Sequence, residues 1–307
     1  MKDYVCVVGG ANIDISGTTF SYLNYHDSNP GKINTSLGGV GRNIAENLSR
    51  MGVNVEFISV FGNDNYSRDI KESCDKLNIS LNYSETILNE RTSTYLCIND
   101  EHGEMQLAVS DMDIYDNVTS SFLENRLHII NASRALIVDT NIPKNSLDYL
   151  MDNTKVPIFI DTVSTKKTEK IKDSIHNVYA LKPNINEVEI LSGIKIIDED
   201  DLKEATDIIL KKGVKQIYVS LGSDGVYYTD GINKNKLPTI TDTIVNTTGA
   251  GDSFLAGVVW AFLQDYTIEM CAKAGLSASN ICVKSLNTVS EEMSEEYIKY
   301  LINNKWR

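Results

Sequence analysis

A glycine-rich loop that runs directly into an apolar helix constrains the fold of this chain more than any other stretch. Residues 246–254 read NTTGAGDSF, and an apolar run follows. Gly249 and Gly251 let the backbone approach a ligand closely, and the free N–H groups of a helix start attract negative charge. Asp252 is then expected beside an anion hole, where a carboxylate can act as general base in phosphoryl transfer. The alternative is an Asp cap on a core helix.

The composition excludes several classes of partner. A formal charge of −13 repels nucleic acid and anionic membranes, so we expect small-molecule partners. The five cysteines are scattered and lack CxxC spacing, which favours reduced thiols over a disulfide framework or a zinc site. The sequence shows no signal peptide and no apolar run long enough to span a membrane, which predicts a cytoplasmic protein.

Short apolar strands alternate with helices along the chain. The strand predicted at 4–8 is continuously apolar, as in the buried strands of parallel sheets. This alternation predicts an α/β fold in which a doubly wound, mostly parallel sheet is flanked by helices, with residues 1–307 in one domain. Further strands are predicted at 55–60, 135–139, 156–161 and 178–181, and a last one begins at 216 and runs into a glycine turn.

Polar residues follow the first strand at its carboxyl end, where ligands of open α/β sheets bind. Asn12 and Asp14 lie two apart and can hold vicinal hydroxyls, since both side chains accept hydrogen bonds and the amide also donates. The alternative is that both residues are turn formers.

A second glycine loop, GGVGRN at residues 38–43, leads into a helix predicted at 44–51. The loop lacks the Lys-Ser/Thr ending of a Walker A motif and the third glycine of a dinucleotide fingerprint. We therefore interpret it as backbone that lies close to a polar ligand, with Asn43 reaching from the first helical turn.

Two segments interrupt the alternation and predict a lid. Residues 18–37 are polar and show no helical period, so they form an excursion from the core sheet. Residues 92–98 and 105–109 have the pattern of a β-hairpin. Over about 13–37 and 92–115 these segments are expected to form a small β-sheet lid that excludes water from phosphoryl transfer. A decorative or dimer-forming hairpin is the alternative, and a lid that also dimerises is compatible with both.

A weaker motif, KPNINE, occupies residues 182–187. Asn184 and Glu187 are three apart at a helix entrance, where they could hold the water ligands of Mg²⁺ near phosphate. An Asn cap with Glu at the third helical position is the ordinary alternative. Ser220 and Gly222, at the end of the last strand, could edge a nucleotide pocket.

In this order the motifs resemble those of the PfkB family of carbohydrate kinases, which have the ribokinase-like fold. The resemblance covers essentially the whole chain and includes GANID at 10–14 and SLGSDG at 220–225. It implies ATP and Mg²⁺ as cofactors. The site residues that it implies are Asp252 as catalytic base; Gly249, Ala250 and Gly251 as anion hole; Asn12, Asp14, Gly39 and Asn43 as sugar contacts; Asn184 and Glu187 for Mg²⁺; and Asn184, Ser220, Gly222, Gly225, Gly249 and Gly251 for ATP.

Within that family, residues 28–31, 110–114 and 161–166 most resemble those of pseudouridine kinases. This implies ATP-dependent phosphorylation of the 5′-hydroxyl of a ribosyl compound, pseudouridine above all. Ribokinase or another sugar or nucleoside kinase of the same fold is the alternative, and a non-catalytic nucleotide-sugar sensor is a remote one. The residues assigned to the base are Ser28, Asn29, Thr92 and Lys166, whose alternative roles are turn formation for the first two, a strand hydroxyl and a solvated lysine.

The resemblance also implies a monovalent cation, K⁺, beside the anion hole. The family often carries Asp where this chain has Asn246. The missing charge leaves K⁺ dependence open, although backbone carbonyls can still coordinate the ion. If carbonyls suffice, replacing K⁺ by Na⁺ is expected to lower kcat. We also expect a homodimer through the lid.

Overall fold

The computed structural model describes residues 3–241 and 243–306. The strands, in chain order, are β1 (Val5–Val8), β2 (Asn12–Thr19), β3 (Gly31–Gly38), β4 (Val55–Ile58), β5 (Val60–Phe61), β6 (Glu85–Thr86), β7 (Thr94–Asn99), β8 (Met105–Asp111), β9 (Leu136–Asp139), β10 (Ile158–Asp161), β11 (Ala180–Lys182), β12 (Gln216–Ser220), β13 (Val226–Thr229) and β14 (Lys234–Leu237). The helices are α1 (Val40–Arg50), α2 (Asn65–Lys76), α3 (Ser120–Glu124), α4 (Leu127–Ile130), α5 (Lys144–Asn153), α6 (Thr165–Thr168), α7 (Ile185–Ser192), α8 (Glu199–Lys211), α9 (Ala250–Leu263), α10 (Ile268–Val283) and α11 (Glu295–Lys305).

Eight of the described strands form a central sheet in the order β14-β13-β12-β11-β10-β9-β1-β4. The strands from β12 to β4 are parallel, whereas β13 and β14 are antiparallel and close one edge. Helices α1, α9, α10 and α11 pack on one face of this sheet, and α5, α7 and α8 pack on the other. Strands β1, β4, β9 and β10 are buried along their whole length, which is why their residues are apolar apart from Glu56, Asp139 and Asp161. The predicted doubly wound, mostly parallel sheet is confirmed.

The strand predicted at 55–60 is divided in two. Ser59 separates β4 from β5, and its hydroxyl donates to the carbonyl of Gly9 at 2.7 Å. Strand β5 leaves the central sheet and pairs with β6 instead. Sequence periodicity missed this break because the residues on both sides are buried and, except for Glu56, apolar.

Four strands form a separate lid sheet in the order β3-β2-β7-β8. The polar segment at 18–37 contributes the end of β2 and most of β3, and the two strands pair along their full length. The predicted small β-sheet lid is confirmed. Strand β2 begins at Asn12, so Asn12 and Asp14 belong to the lid rather than to a loop after β1. The change of sheet therefore lies immediately before the residues predicted to bind sugar.

The two faces of the lid sheet differ in polarity, since successive side chains of a strand point to opposite faces. On one face, Ile15 pairs with Leu96, which pairs with Val109. On the same face, Ile33 and Leu107 are 74% and 60% exposed. The opposite face carries Asp14 and its cross-strand neighbours, and it is polar. The lid thus leaves an apolar face in solvent, and its polar face carries Asp14.

No helix within the described residues is long and apolar enough to cross a membrane. The five cysteines are free, and Cys6, Cys74, Cys271 and Cys282 are buried. Burial raises the pKa of Cys6 and Cys271 to about 12, so these side chains behave as small apolar groups.

Candidate active site

The first glycine loop begins α9 in a conformation that requires glycine. Gly249 has φ 83°, and a Cβ at this position would overlap the carbonyl oxygen of Thr288. The helix starts at Ala250, and Asp252 lies in its first turn, where it is 9% exposed. No side chain caps the helix start, but the N–H of Ala250 donates to the carbonyl of Thr247 at 3.3 Å. The N–H groups of Gly251 and Asp252 are therefore the ones that can face an anion. Asp252 is therefore not the ordinary N-cap that the sequence left as the alternative.

The second glycine loop brings Asn43 to Asp252 across 209 positions of sequence. Asn43 Nδ2 donates to Asp252 Oδ2 at 2.8 Å, between α1 and α9. Arg42 Nη1 donates to Asn43 Oδ1 at 3.2 Å, so the amide of Asn43 can only present its NH₂ group to the carboxylate. Arg42 in turn forms a buried ion pair with Glu46 at 2.5 Å. This series of contacts fixes the orientation of Asn43, which holds the carboxylate of Asp252.

Burial raises the pKa of Asp252 to about 7, and the carboxylate of Asp161 adds to the shift. The hydrogen bond from Asn43 and the charge of Lys182 act in the opposite direction. A carboxylate that titrates near neutral pH suits a general base. An Asp that merely caps a helix and accepts its backbone hydrogen bonds would instead show a lowered pKa.

Lys182 and Asp161 are functional candidates that sequence reasoning missed. Lys182 Nζ lies 3.0 Å from Asp161 Oδ2, and a Cβ at Gly251 would come within 2.6 Å of the same nitrogen. Burial opposes the charge of Lys182, but the carboxylates of Asp161 and Asp252 raise its pKa. A charged lysine therefore adjoins the anion hole. The sequence feature that could have identified both residues is their position at the carboxyl ends of parallel strands, β10 and β11.

Asp139 joins the two segments that surround the predicted sugar site, and it too was missed. Its Oδ2 accepts the backbone N–H of Gly10 at 2.7 Å and that of Gly41 at 2.8 Å. A Cβ at Gly9 would overlap this carboxylate, so the glycine there makes room for it. Burial raises the pKa of Asp139, while the hydrogen bond from Gly10 lowers it. The sequence feature that could have identified Asp139 is its position as the acidic last residue of the strand predicted at 135–139.

The residues predicted to contact sugar lie together where the two segments held by Asp139 meet. Asn12 Nδ2 donates to Asp14 Oδ1 at 2.5 Å, and burial raises the pKa of Asp14 to about 6. Gly39 has φ 97°, and a Cβ there would overlap the backbone at 10–11. Tyr115 fixes the same backbone, since its hydroxyl donates to the carbonyl of Ala11 at 2.6 Å. The structure thus packs the two loops closely around one polar site.

Asn184 and Glu187 form a capping box at the start of α7, the arrangement that the sequence left as the ordinary alternative. Glu187 Oε2 also accepts the hydroxyl of Thr162 at 2.6 Å. Among the described residues no three acidic, histidine or cysteine side chains converge on one metal position. The donor set still fits Mg²⁺, which usually takes one or two carboxylates plus waters and phosphate oxygens. Asp161, Glu187 and Asn184 could hold those waters.

The residues predicted to bind ATP lie along the carboxyl edge of the sheet. Ser220 N–H donates to the carbonyl of Pro183 at 2.9 Å, which sets the end of β12 beside Asn184. Gly222 and Gly225 have φ 62° and 93°, and they turn the chain from β12 into β13. Asn184 and Ser220 also line a groove of about 910 Å³ between α8 and the β13–β14 hairpin. Asp252 does not line this groove.

The structure does not bring the four predicted base contacts together. Ser28 and Asn29 lie at the exposed tip of the β2–β3 hairpin, where Asn29 Oδ1 accepts the N–H of Asn24 at 2.7 Å. Thr92 is buried, and its hydroxyl donates to Asp64 Oδ1 at 2.7 Å. The hydroxyl of Thr92 is thus hydrogen-bonded to another residue of the protein. The side chain of Asn29 is hydrogen-bonded within the turn that it forms.

Lys166 is exposed on α6, whereas the next residue, Lys167, is directed inward. Lys167 Nζ donates to Asn141 Oδ1 and lies 3.7 Å from the sulfur of Met112. Burial lowers the pKa of Lys167, and the charge of Asp139 only partly offsets this effect. Helix α6 has four residues, too few for a hydrophobic period to show which lysine faces the protein.

Asn246, the predicted cation ligand, lies at the start of the first glycine loop. Its side chain accepts the N–H of Thr248 at 3.0 Å and donates to the carbonyl of Leu286 at 3.1 Å. The amide therefore connects the loop before α9 to the segment that follows α10.

Known proteins resemble the chain along nearly its whole length. The sequence profile described as pfkB family carbohydrate kinase matches residues 2–294. Pseudouridine kinase of Escherichia coli (strain K12) is 33% identical over 306 residues, 99% of this chain and 97% of that protein. A carbohydrate kinase from Agrobacterium tumefaciens superposes with a TM-score of 0.85 at 28% identity, covering 98% of this chain and 97% of the other. Arabidopsis thaliana ribokinase, complexed with ribose and ATP, has a TM-score of 0.88 at 22% identity over 98% of this chain and 99% of its own, a likeness of fold.

Proposed function

Because the chain belongs to the pfkB family of carbohydrate kinases, we propose that it transfers the γ-phosphoryl group of ATP to the 5′-hydroxyl of pseudouridine. The observation that carries the phosphoryl transfer is the buried carboxylate of Asp252 at the uncapped start of α9, held by Asn43 at 2.8 Å. The similarity to Escherichia coli pseudouridine kinase over 99% of the chain supports the choice of acceptor.

In this proposal Asp252 accepts the proton of the 5′-hydroxyl as that oxygen attacks the γ-phosphorus and ADP departs. The N–H groups at the start of α9 stabilise the charge of the transferred group, and Lys182 adds a positive charge beside Gly251. Asn12 and Asp14 hold the ribose hydroxyls. Asn184 and Glu187 would hold water ligands of Mg²⁺, which when bound would neutralise phosphate charge.

Ribokinase or another sugar or nucleoside kinase activity is the same-fold alternative, and a non-catalytic nucleotide-sugar sensor is the alternative from another class. Production of ADP from ATP and Mg²⁺, with and without added nucleoside or sugar, separates an enzyme from a sensor. Phosphorus–proton coupling in the product identifies the phosphorylated hydroxyl. A product phosphorylated elsewhere than at the 5′ position, or no acceptor-dependent ADP, contradicts the proposal.

We further propose that the lid sheet forms a homodimer interface through its apolar face. Ile33, Leu107 and Val109 are 74%, 60% and 55% exposed on this face, an unusual arrangement for a sheet that remains in solvent. Sedimentation velocity is expected to give twice the monomer mass, and Leu107→Lys to give the monomer. A monomeric wild type excludes this interface.

Recognition of the base is expected to depend on Lys167 rather than on Lys166. Lys167→Ala removes a partly buried ammonium that donates to Asn141 Oδ1 and lies against the sulfur of Met112. An ammonium has three donors, so it retains donor capacity for a carbonyl of the base. Loss of a hydrogen bond from a charged group costs roughly 1.5–3 kcal/mol, which corresponds to an increase of about 10- to 150-fold in KM for pseudouridine. KM for ATP is expected to stay unchanged.

Lys166→Ala is the matched control, because it removes the same side chain from the exposed side of the same helix. We expect its kinetic constants to equal those of the wild type. Equal effects of the two substitutions, or a change in KM for ATP alone, would place base recognition elsewhere.

A further inference from the structure

The side-chain amide of Asn246 has one possible orientation. The N–H of Thr248 can only donate, so the group 3.0 Å away must be Oδ1. The carbonyl of Leu286 can only accept, so the group 3.1 Å away must be Nδ2. The two partners therefore assign the amide without ambiguity, and its NH₂ group faces the backbone oxygen of Leu286.

Other backbone carbonyls lie where the loop before α9 meets the segment after α10. These carbonyls also accept hydrogen bonds from donors of the protein. The carbonyl of Val283 accepts the N–H of Val245 at 2.7 Å. The thiol of Cys282 lies 3.3 Å from the carbonyl of Thr288 and 3.6 Å from that of Thr248, and donates to one or the other. Burial raises the pKa of this thiol, which keeps its proton in place.

These donors do not fit a bound monovalent cation. A cation requires oxygen ligands, and the ligand position contributed by Asn246 presents N–H hydrogens toward Leu286 instead. An Asp at the same position could accept from Thr248, but its second oxygen would face the carbonyl of Leu286, acceptor against acceptor. A cation between these two oxygens would relieve that contact, whereas the amide makes the contact favourable by itself.

We propose that the amide of Asn246 takes the structural place of a monovalent cation, so that this chain does not require K⁺. The contact between the loop before α9 and the segment after α10 matters for the anion hole, because Gly249 packs directly against the carbonyl of Thr288. Holding residues 246–249 against 283–288 therefore sets the start of α9. The inference rests on the proposed kinase function for its activity readout only. Family resemblance alone would instead predict that Na⁺ lowers kcat.

The test compares KCl, NaCl and tetramethylammonium chloride at one ionic strength, with ATP as its Tris salt. For the wild type we expect kcat/KM to agree within about twofold and Tm of the substrate-free protein within about 1 °C, because a salt that does not bind the folded state does not shift its stability. Asn246→Asp is expected to lose about tenfold in kcat/KM without K⁺, since it leaves Leu286 facing an acceptor, and to recover on K⁺ titration.

Substrate-free Asn246→Asp is also expected to gain about 2–4 °C in Tm with K⁺. Asn287→Asp adds the same charge at an exposed position one residue from Leu286 and should show neither effect. Saturable activation or thermal stabilisation of the wild type by K⁺ overturns the inference, as does an Asn246→Asp protein indifferent to K⁺. If Asn246→Asp does not fold, the wild-type titration decides the question. The Tm arm uses no substrate, so it remains decisive even if pseudouridine is not the acceptor.

Discussion

Asp252→Asn is expected to lower kcat by about 10²- to 10⁴-fold, the range for losing a positioned general base. The amide has the shape of the carboxylate and can still accept the hydrogen bond from Asn43 through its oxygen. It cannot take up the proton of an attacking hydroxyl. The folded structure and the affinity for both substrates should therefore change far less than turnover.

The pH dependence gives this prediction a second readout. Because burial raises the pKa of Asp252 to about 7, the wild type should lose kcat/KM as the pH falls through this value and the base becomes protonated. The residual activity of Asp252→Asn should lack that limb. Asp265→Asn is the matched control: Asp265 lies just beyond the other end of α9 with φ 57°, a conformation that Asn accepts readily. Turnover of Asp252→Asn within about threefold of wild type would rule out the role of general base.

The sequence predicted those features whose physical cause is local. Gly249 and Gly39 are required by positive φ angles and close backbone approach, which only glycine supplies. The continuous apolar runs predicted buried parallel strands, because both faces of the sheet are covered. The convergence of the loops that carry Asn43 and Asp252 is not local, and it was expected only because ligands bind at the carboxyl edge of such sheets.

Features that depend on contacts distant in sequence could not be predicted in this way. Asp139 looks like any acid at a strand end until the fold places the N–H groups of Gly10 and Gly41 on its carboxylate. Lys182 owes its charge in a buried site to Asp161, a residue on the neighbouring strand. The pairing of parallel strands decides this contact, and the sequence does not state that pairing.

The sequence predicted Lys166 as a base contact without considering Lys167, for another reason. Helix α6 is one turn long, and neighbouring residues on a helix differ by about 100° in direction. A shift of one position therefore exchanges an exposed lysine for an inward one. The lid itself was predicted, but the limits of its strand β3 were not, because β3 is exposed along six of its eight residues and has no buried face to impose an alternating pattern.

The second large effect concerns the acceptor. Pseudouridine carries its uracil ring through a carbon–carbon bond and so presents a ring N–H that uridine lacks. A site built to pair with that donor leaves a buried acceptor unsatisfied when uridine binds. Discrimination of this kind can reach about 10⁴-fold, against about 10- to 200-fold for a missing methylene group. Free ribose lacks every contact to the base, including those proposed for Lys167, and should be a poor substrate.

The central claim is tested most directly by kcat/KM for pseudouridine, uridine, adenosine and ribose, measured with ATP and Mg²⁺ under one set of conditions. We expect pseudouridine to exceed each of the others, uridine by up to about 10⁴-fold. A higher kcat/KM for ribose or adenosine than for pseudouridine would contradict the assignment of the acceptor, while leaving phosphoryl transfer by Asp252 in place.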